Sequence, residues 1–92
     1  MNLRTYAKGR DCDIRLPGIC NFDPATSVWA HLPGGGMGTK KPDILGCVAC
    51  SACHDEVDRR THLTDFDYAR RSHMEAILRR QEVLVGEGVL SW

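Results

Sequence analysis

Residues 50–54 read Cys-Ser-Ala-Cys-His, and this stretch decides which folds the rest of the chain can adopt. Two cysteines separated by two residues can place both sulfur atoms on one tetrahedral cation, whereas a disulfide across so short a loop is usually strained. His54 follows the second sulfur directly, so its ring projects beside the sulfur site. The pattern indicates either a bound metal or an attached haem.

A second pair of cysteines lies upstream, at Cys12 and Cys20. The residues between them include Leu16-Pro17-Gly18, a turn signal that folds the two sulfurs back toward each other. This segment therefore has the form of half a zinc site. The fifth cysteine, Cys47, is left over, although the spacing of Cys47 and Cys50 also fits a ligand pair.

The chain has 92 residues, which predicts a single domain over residues 1–92 with a thin hydrophobic core. A structural metal would stabilise such a domain. The first ten residues are basic but lack the apolar stretch of a secretory signal, and no later segment approaches a membrane span. We therefore expect a cytoplasmic protein that contacts no membrane, in which five cysteines are better explained by metal binding than by disulfides.

Local patterns predict strands and helices in an order typical of an α+β domain. In chain order they are a short helix or arm at 3–10, a strand at 27–32, a glycine-rich loop at 33–42, a strand at 43–49, a helix at 51–60 and a C-terminal helix at about 66–86. The metal core spans about residues 10–60. On the last helix the expected core stripe is Met74, Ile77, Leu78, Leu84 and Val85, and we expect His62 and His73 to face solvent.

An ordered set of motifs resembles the small prophage-encoded nucleases of the YbcO family and, more broadly, the HNH or ββα-metal endonucleases. The motifs are Cys12-x7-Cys20, Ala30-His31-Leu32, Lys41-Pro42-Asp43, and Cys50-Ser51-Ala52-Cys53-His54-Asp55 with Asp58-Arg59-Arg60. The resemblance covers about residues 3–85. It implies a small zinc-stabilised ββα-metal (HNH-like) domain with an additional C-terminal helix.

The resemblance also implies a catalytic site. It gives His31 the role of general base and His54 that of a helix ligand to a divalent cation, Mg²⁺ or a similar ion. Imidazole accepts a proton from water near neutral pH, and a cation stabilises charge on the phosphate and the leaving oxygen.

Two departures from the HNH pattern affect the oxygen ligands of the cation. Ala30 stands where many HNH sequences carry an acidic residue, and the middle asparagine is missing. Asp43 is the best candidate for that middle position. Asp55 and Asp58 are weaker candidates, because carboxylates on a helix surface usually face water.

The resemblance further implies one closed structural Zn²⁺ site. We expect its ligands to be Cys12, Cys20, Cys50 and Cys53. Cys50 is preferred over Cys47 because His54 then follows the second sulfur of the pair, as the resemblance requires.

Pairs of basic residues are candidates for binding DNA, although surface lysines and arginines are more often simply solvated. The pairs closest to the motifs are Lys40-Lys41 and Arg59-Arg60. A chain of this length offers a small DNA footprint, and a homodimer would permit paired cuts.

Three functions are compatible with these residues. The first is a metal-dependent DNA endonuclease serving phage or prophage DNA processing or recombination. The second is a non-catalytic zinc-stabilised module that binds nucleic acid or protein, a hypothesis favoured by Ala30 and the missing asparagine. The third is a c-type haem protein, because Cys50-x-x-Cys53-His54 satisfies the attachment pattern, but this leaves Cys12 and Cys20 without a role.

Overall fold

A computed structural model describes residues 2–32 and 44–90 of this protein. The predicted site residues Lys40, Lys41 and Asp43 lie outside the described residues. The elements are helix α1 (Leu3–Ala7), a 3₁₀ turn (Pro24–Thr26), strand β1 (Val28–His31), strand β2 (Gly46–Ala49), helix α2 (Ser51–Val57) and helix α3 (Phe66–Gly86). Each helix and strand lies where the sequence patterns predict one, and the α+β class is confirmed.

Strands β1 and β2 form a two-stranded antiparallel sheet, in which Ala30 is opposite Cys47 and His31 is opposite Gly46. All four residues of β2 are buried, so the sheet carries core on both faces. Successive side chains of a strand point to opposite faces. The sheet therefore separates two hydrophobic clusters.

The first cluster, the sulfur-side core, lies on the face that carries Ala30 and Cys47. Its buried members are Cys12, Ile14, Leu16, Ala30, Cys47, Ala49, Cys50, Cys53, Val57, Ala76 and Ile77. They come from the upstream cysteine segment, both strands, α2 and the middle of α3. One face of the sheet, both cysteine pairs and two helices thus share a single core.

The second cluster lies on the opposite face and contains Trp29 and Val48 together with Ala7 of α1 and Leu84 of α3. Trp29 approaches the backbone of β2 so closely that a Cβ atom at Gly46 would lie 2.5 Å from the Trp29 ring nitrogen. Glycine is therefore required at the residue opposite His31. The tail after α3 adds partly buried Val89 and Leu90 to this cluster.

Helix α3 begins after Asp65, whose side chain accepts hydrogen bonds from the backbone N–H groups of Asp67 and Tyr68. Its buried residues are Ala69, His73, Ala76, Ile77, Arg80 and Leu84, which follow one another at helical spacing.

Among residues 2–32 and 44–90, no helix is long and apolar enough to cross a membrane.

The predicted core stripe of α3 is correct at Ile77 and Leu84 but wrong at Met74 and Leu78, which are 49% and 66% exposed. The prediction that His73 faces solvent is also wrong, since His73 is fully buried. The reason is that two alanines, one histidine and one arginine occupy the inward face. Hydrophobicity alone therefore gives the wrong rotation of this helix.

Arg80 uses its place on the inward face of α3 to hold the segment that carries Cys12. Its Nε and Nη2 atoms donate to the two carboxylate oxygens of Asp13, each at 2.8 Å. Asp13 also pairs with Val48 of β2, donating to its carbonyl at 2.8 Å and accepting from its N–H at 2.9 Å. The ion pair is nearly buried, with side-chain exposures of 11% and 12%, and it joins α3, β2 and the first cysteine segment.

Candidate metal centre and histidine site

The structure brings together the four cysteines predicted to bind zinc. The sulfur atoms of Cys12, Cys20, Cys50 and Cys53 all lie within 4.8 Å of one another. Cys20 Sγ and Cys50 Sγ are 3.7 Å apart, far beyond a disulfide bond of about 2.05 Å. Sulfurs around a tetrahedral zinc at about 2.3 Å would be separated by about 3.8 Å. The cluster is therefore suited to a metal such as zinc.

Backbone geometry explains how the sulfurs converge. Cys50 is the N-terminal capping residue of α2, and its Sγ accepts a hydrogen bond from the N–H of Cys53 at 3.4 Å. In the upstream segment, the N–H of Arg15 donates to Cys12 Sγ at 3.4 Å. Arg15 and Phe22 adopt left-handed backbone conformations with φ of 50° and 54°, which turn the chain after each upstream cysteine. We call Arg15 and Phe22 the turn-tip residues.

The protonation of the sulfurs reflects their crowding. A hydrogen bond from Cys53 is the main cause that lowers the pKa of Cys12 to about 5, while burial is the main cause that raises the pKa of Cys20 to about 11. The hydrogen bond to Cys12 also raises the pKa of Cys53. A thiolate at one sulfur thus opposes ionisation of its neighbours. Binding of all four as thiolates requires the charge of a cation.

Cys47 is not a member of the sulfur group. It is fully buried on β2, opposite Ala30. Burial is the main cause that raises the pKa of its thiol, and the nearby Asp13 carboxylate adds to the effect. Cys47 therefore behaves as a neutral core side chain, which matches the choice of Cys50 over Cys47 as the partner of Cys53.

His54 lies on α2, one residue after Cys53, and faces a partly open surface. Its Nε2 atom is 3.0 Å from Asp58 Oδ2, one helical turn away, and both side chains are about one-quarter exposed. Burial opposes ionisation of Asp58, but hydrogen bonding to His54 and the charge of Arg60 lower its pKa overall. An imidazole nitrogen and a carboxylate oxygen are thus held together beside the sulfur cluster.

His31 ends β1 and is partly exposed, and its position is fixed through its neighbour Ala30. His73 of α3 donates from Nε2 to the Ala30 carbonyl oxygen at 3.1 Å. Burial is the main cause that lowers the pKa of His73. Helix α3 therefore contacts the end of β1 through the residue that precedes His31.

Sequence reasoning missed His73 because no motif contains it. The available signal was its spacing, since Ala69, His73 and Ala76 follow one another by four and three residues. Reading alanine as a core residue would have placed the histidine on the inward face. His62, by contrast, is exposed as predicted.

Arg59 and Arg60, both predicted to contact DNA, differ in their surroundings. Arg59 donates to the Thr64 carbonyl at 3.2 Å and lies 3.5 Å from the buried carboxylate of Glu56. Arg60 has a side chain that is 60% exposed, paired with Asp55 at 2.9 Å and Asp58 at 3.4 Å. Arg60 is therefore the one of the two whose guanidinium lies at the surface beside His54.

Glu56 is a fully buried carboxylate that no sequence motif indicated. Its oxygens accept hydrogen bonds from the hydroxyls of Thr61 and Thr64, both at 2.5 Å, and from the N–H groups of Leu63 and Thr64. Burial alone would raise its pKa, but these hydrogen bonds lower it to about 2. Glu56 thereby organises the loop between α2 and α3.

Among residues 2–32 and 44–90, the four cysteines form the only group of three or more histidine, cysteine and acidic side chains close enough to share an ion. His54 and Asp58 bring two donors within 3.0 Å of each other. The predicted third donor, Asp43, lies outside the described residues. Among the described residues, the sulfur cluster therefore has four donors for an ion, whereas the His54–Asp58 pair has two.

Comparison with known proteins agrees with the motifs. The family model described as "Putative nuclease YbcO" matches residues 1–89. "Putative nuclease YbcO" of Escherichia coli (strain K12) and "Putative nuclease ybcO" of Enterobacteria phage 82 are each 49% identical over an alignment of 92 positions. Each alignment covers 97% of this chain and 96% of the relative.

A solved structure has the same fold. It is described as "Structure of a putative bacteriophage protein from Escherichia coli str. K-12 substr. MG1655". The TM-score is 0.83 at 46% identity, and the match covers 95% of this chain and 100% of that one. Sequence and fold agree over nearly the whole length, and this chain therefore belongs to the YbcO family of phage and prophage proteins.

Proposed function

We propose that this protein is a metal-dependent endonuclease that hydrolyses phosphodiester bonds in DNA, in phage or prophage DNA processing or recombination. The observation that carries the proposal is the His54–Asp58 pair, with its Nε2 and Oδ2 atoms 3.0 Å apart on a helix whose first turn holds two cysteines of the sulfur cluster. The nuclease name given to the relatives agrees with this chemistry.

His31 is the proposed general base. Imidazole is the side chain whose ordinary titration range lies closest to neutral pH, so it can accept a proton from an attacking water. The rigid end of β1, where Gly46 leaves room for Trp29 and His73 holds the Ala30 carbonyl, keeps the His31 backbone in one position. A base on a rigid strand acts with little reorganisation.

Two kinds of metal are proposed. Cys12, Cys20, Cys50 and Cys53 would hold a structural Zn²⁺, because four clustered thiols match its preferred ligands. His54 and Asp58, with Asp43, would hold Mg²⁺ or another divalent ion. When bound, that ion supplies a positive charge that stabilises the phosphate and the leaving oxygen.

Basic side chains are proposed to position the DNA backbone. Arg60 lies at the surface beside Asp58, so its guanidinium can shift to a phosphate oxygen. Lys40 and Lys41 keep the same proposed role. Arg59 is the weaker candidate, because the Glu56 carboxylate and the Thr64 carbonyl already hold it.

A plasmid-nicking assay tests the proposal. Zinc-loaded protein should nick or cut DNA only after a divalent ion is added, and His31→Ala should reduce the rate by about 100-fold or more while DNA binding is unchanged. His62→Ala is the matched control, because His62 is an exposed histidine outside the motifs. Intact DNA binding without cutting, across several ions and DNA forms, would contradict the proposed reaction.

The second candidate function is a zinc-stabilised module that binds nucleic acid or protein without cutting. It is favoured by Ala30, which offers no oxygen where HNH enzymes often carry an acidic ligand, and by the two-donor histidine site of the described residues. Under this hypothesis, binding weakens as salt rises and survives His31→Ala. The nicking and binding assays together separate the two functions.

A further inference from the structure

We propose that a cavity beside the sulfur cluster binds one unpaired nucleobase of a DNA strand, with guanine preferred. The inference rests on the proposed function only in taking DNA as the partner, and it needs no cleavage. The cavity measures about 270 Å³ and is lined by Asp11, Cys12, Arg15, Phe22 and Pro24. This is just below the range of about 300–1,000 Å³ found for drug-sized ligands, so a single planar ring system suits it.

Phe22 supplies the stacking surface of this cavity, which both turn-tip residues line. Its side chain is 71% exposed, and its φ of 54° is a backbone conformation that favours glycine. The left-handed backbone turns the chain after Cys20. Glycine adopts this conformation with less strain, so the turn itself does not require the phenyl ring. An exposed aromatic ring at a rigid turn is the kind of platform on which single-stranded bases stack.

Arg15 supplies hydrogen-bond donors that are already oriented. Its Nε atom donates to the Cys12 carbonyl oxygen at 2.8 Å, which fixes the plane of the guanidinium at the cavity wall. This bond uses none of the four N–H groups on the terminal nitrogens. A donor held in place before binding loses less conformational entropy when the ligand arrives.

Asp11 makes the cavity better suited to a base than to a phosphate. Its carboxylate lines the cavity and would repel the negative charge of a phosphate. Guanine offers N–H donors to a carboxylate along one edge and O6 and N7 acceptors to an arginine along another. The combination of Asp11 and Arg15 therefore complements guanine, while thymine has a single N–H and no amino group.

Binding of labelled single strands to the zinc-loaded full chain, without added divalent ion, tests the inference. The probes are a short thymine-only strand and the same strand with one central guanine. The guanine strand should bind more tightly, and Phe22→Ala should weaken its binding at least fivefold, the effect of losing one stacked base. The salt dependence of binding should stay the same, because no phosphate contact is removed.

Matched variants sharpen the measurement. Phe22→Trp should retain the affinity, and Asp11→Asn should reduce the preference for guanine over thymine while the Arg15 donors remain. Leu63→Ala is the control, because Leu63 is also 71% exposed but lies between α2 and α3. If Phe22→Ala does not fold, Phe22→Gly replaces it, since glycine suits the left-handed conformation.

Wild-type affinity in folded Phe22→Ala protein, a changed salt dependence, or equal binding of a blunt duplex would overturn the inference. Its failure is distinguishable from failure of the proposed function. A protein that nicks DNA but shows no guanine preference disproves the base site alone. A protein that prefers the guanine strand but never cuts disproves the nuclease alone.

Discussion

The sulfur cluster and the histidine site lie side by side but are built in opposite ways. The four sulfurs come from two chain segments and lie within 4.8 Å of one another, with Cys12, Cys50 and Cys53 buried in the core and Cys20 partly buried against it. The histidine site pairs His54 with Asp58 on one helix and leaves both about one-quarter exposed. Structural metal sites are closed by protein ligands, whereas catalytic sites keep a position open to reactants. Under the proposed function, the first region provides stability and the second provides the chemistry.

Of the changes that test this comparison, removing zinc from the sulfur cluster should have the largest effect. Zinc binding contributes about 10 kcal/mol or more to folding of small zinc domains, which is comparable with the whole net stability of a domain of this size. Chelation, or Cys53→Ala, should therefore abolish the cooperative thermal transition measured by circular dichroism. The folded geometry of the sulfur cluster and of the His54–Asp58 pair should be lost together.

Cys47→Ala is the matched control for that experiment, because Cys47 is equally buried but lies outside the sulfur group. It should keep one zinc per chain, measured by atomic absorption, with only a modest loss of stability. Loss of zinc from Cys47→Ala but not from Cys50→Ala would reverse the assignment of the ligands.

A substitution at Glu56 should have a smaller effect, on the loop that follows α2. Glu56→Ala should cost about 3 kcal/mol of unfolding free energy, because buried N–H and hydroxyl donors and Arg59 lose their acceptor. Chemical denaturation measures this loss. Asp55→Ala is the control, since Asp55 pairs with exposed Arg60 at the surface and should cost less than about 1 kcal/mol.

The same carboxylate sets a pH dependence with a defined sign. The folded protein lowers the pKa of Glu56 to about 2 from an ordinary value of 4.5, so the folded form releases a proton that the unfolded form retains. This stabilisation is present above about pH 4.5 and is lost as the pH falls toward 2. Glu56→Gln should flatten stability over that window, and an unchanged slope would contradict the assignment.

His73 provides the smallest expected effect and concerns the histidine site directly. His73→Phe should cost about 1 kcal/mol by leaving the Ala30 carbonyl without its donor. Burial lowers the pKa of His73, so in the wild type stability falls as the pH drops below about 6.5, where the unfolded chain takes up a proton.

The pH dependence of unfolding measures this contribution. The His73→Phe variant should lose the slope below about pH 6.5, and His62→Asn, at an exposed position, should keep it. Equal slopes in wild type and His73→Phe would show that His73 does not resist protonation. A neutral His73 would then not be what holds the Ala30 carbonyl in position.

Local patterns predicted the order of strands and helices and the two pairs of cysteines, whereas the choice of Cys50 over Cys47 rested on the family resemblance. A Cys-x-x-Cys spacing confines two ligands to one turn, and Leu16-Pro17-Gly18 marks where the upstream pair folds back. These signals act over a few residues. They can therefore be read without knowing how distant segments pack.

Contacts between distant segments could not be predicted in the same way. His73 meets Ala30 across 43 positions, and Arg80 meets Asp13 across 67. Hydrophobic spacing placed Met74 and Leu78 inward, although the core accepts a histidine and an arginine instead. A polar residue is tolerated in the core when a specific partner satisfies its hydrogen bonds. The local sequence around the polar residue does not identify that partner.

Cys50 both caps α2 and belongs to the sulfur cluster, so the metal would fix the rotational starting point of that helix. Each residue of an α-helix advances the direction of its side chain by about 100°. One extra residue between Cys53 and His54 would therefore swing both His54 and Asp58 by about a quarter turn or more, while leaving every sulfur in place. Such an insertion would aim the imidazole and the carboxylate in a new direction, and it would also turn the buried side chains of Glu56 and Val57 away from the core.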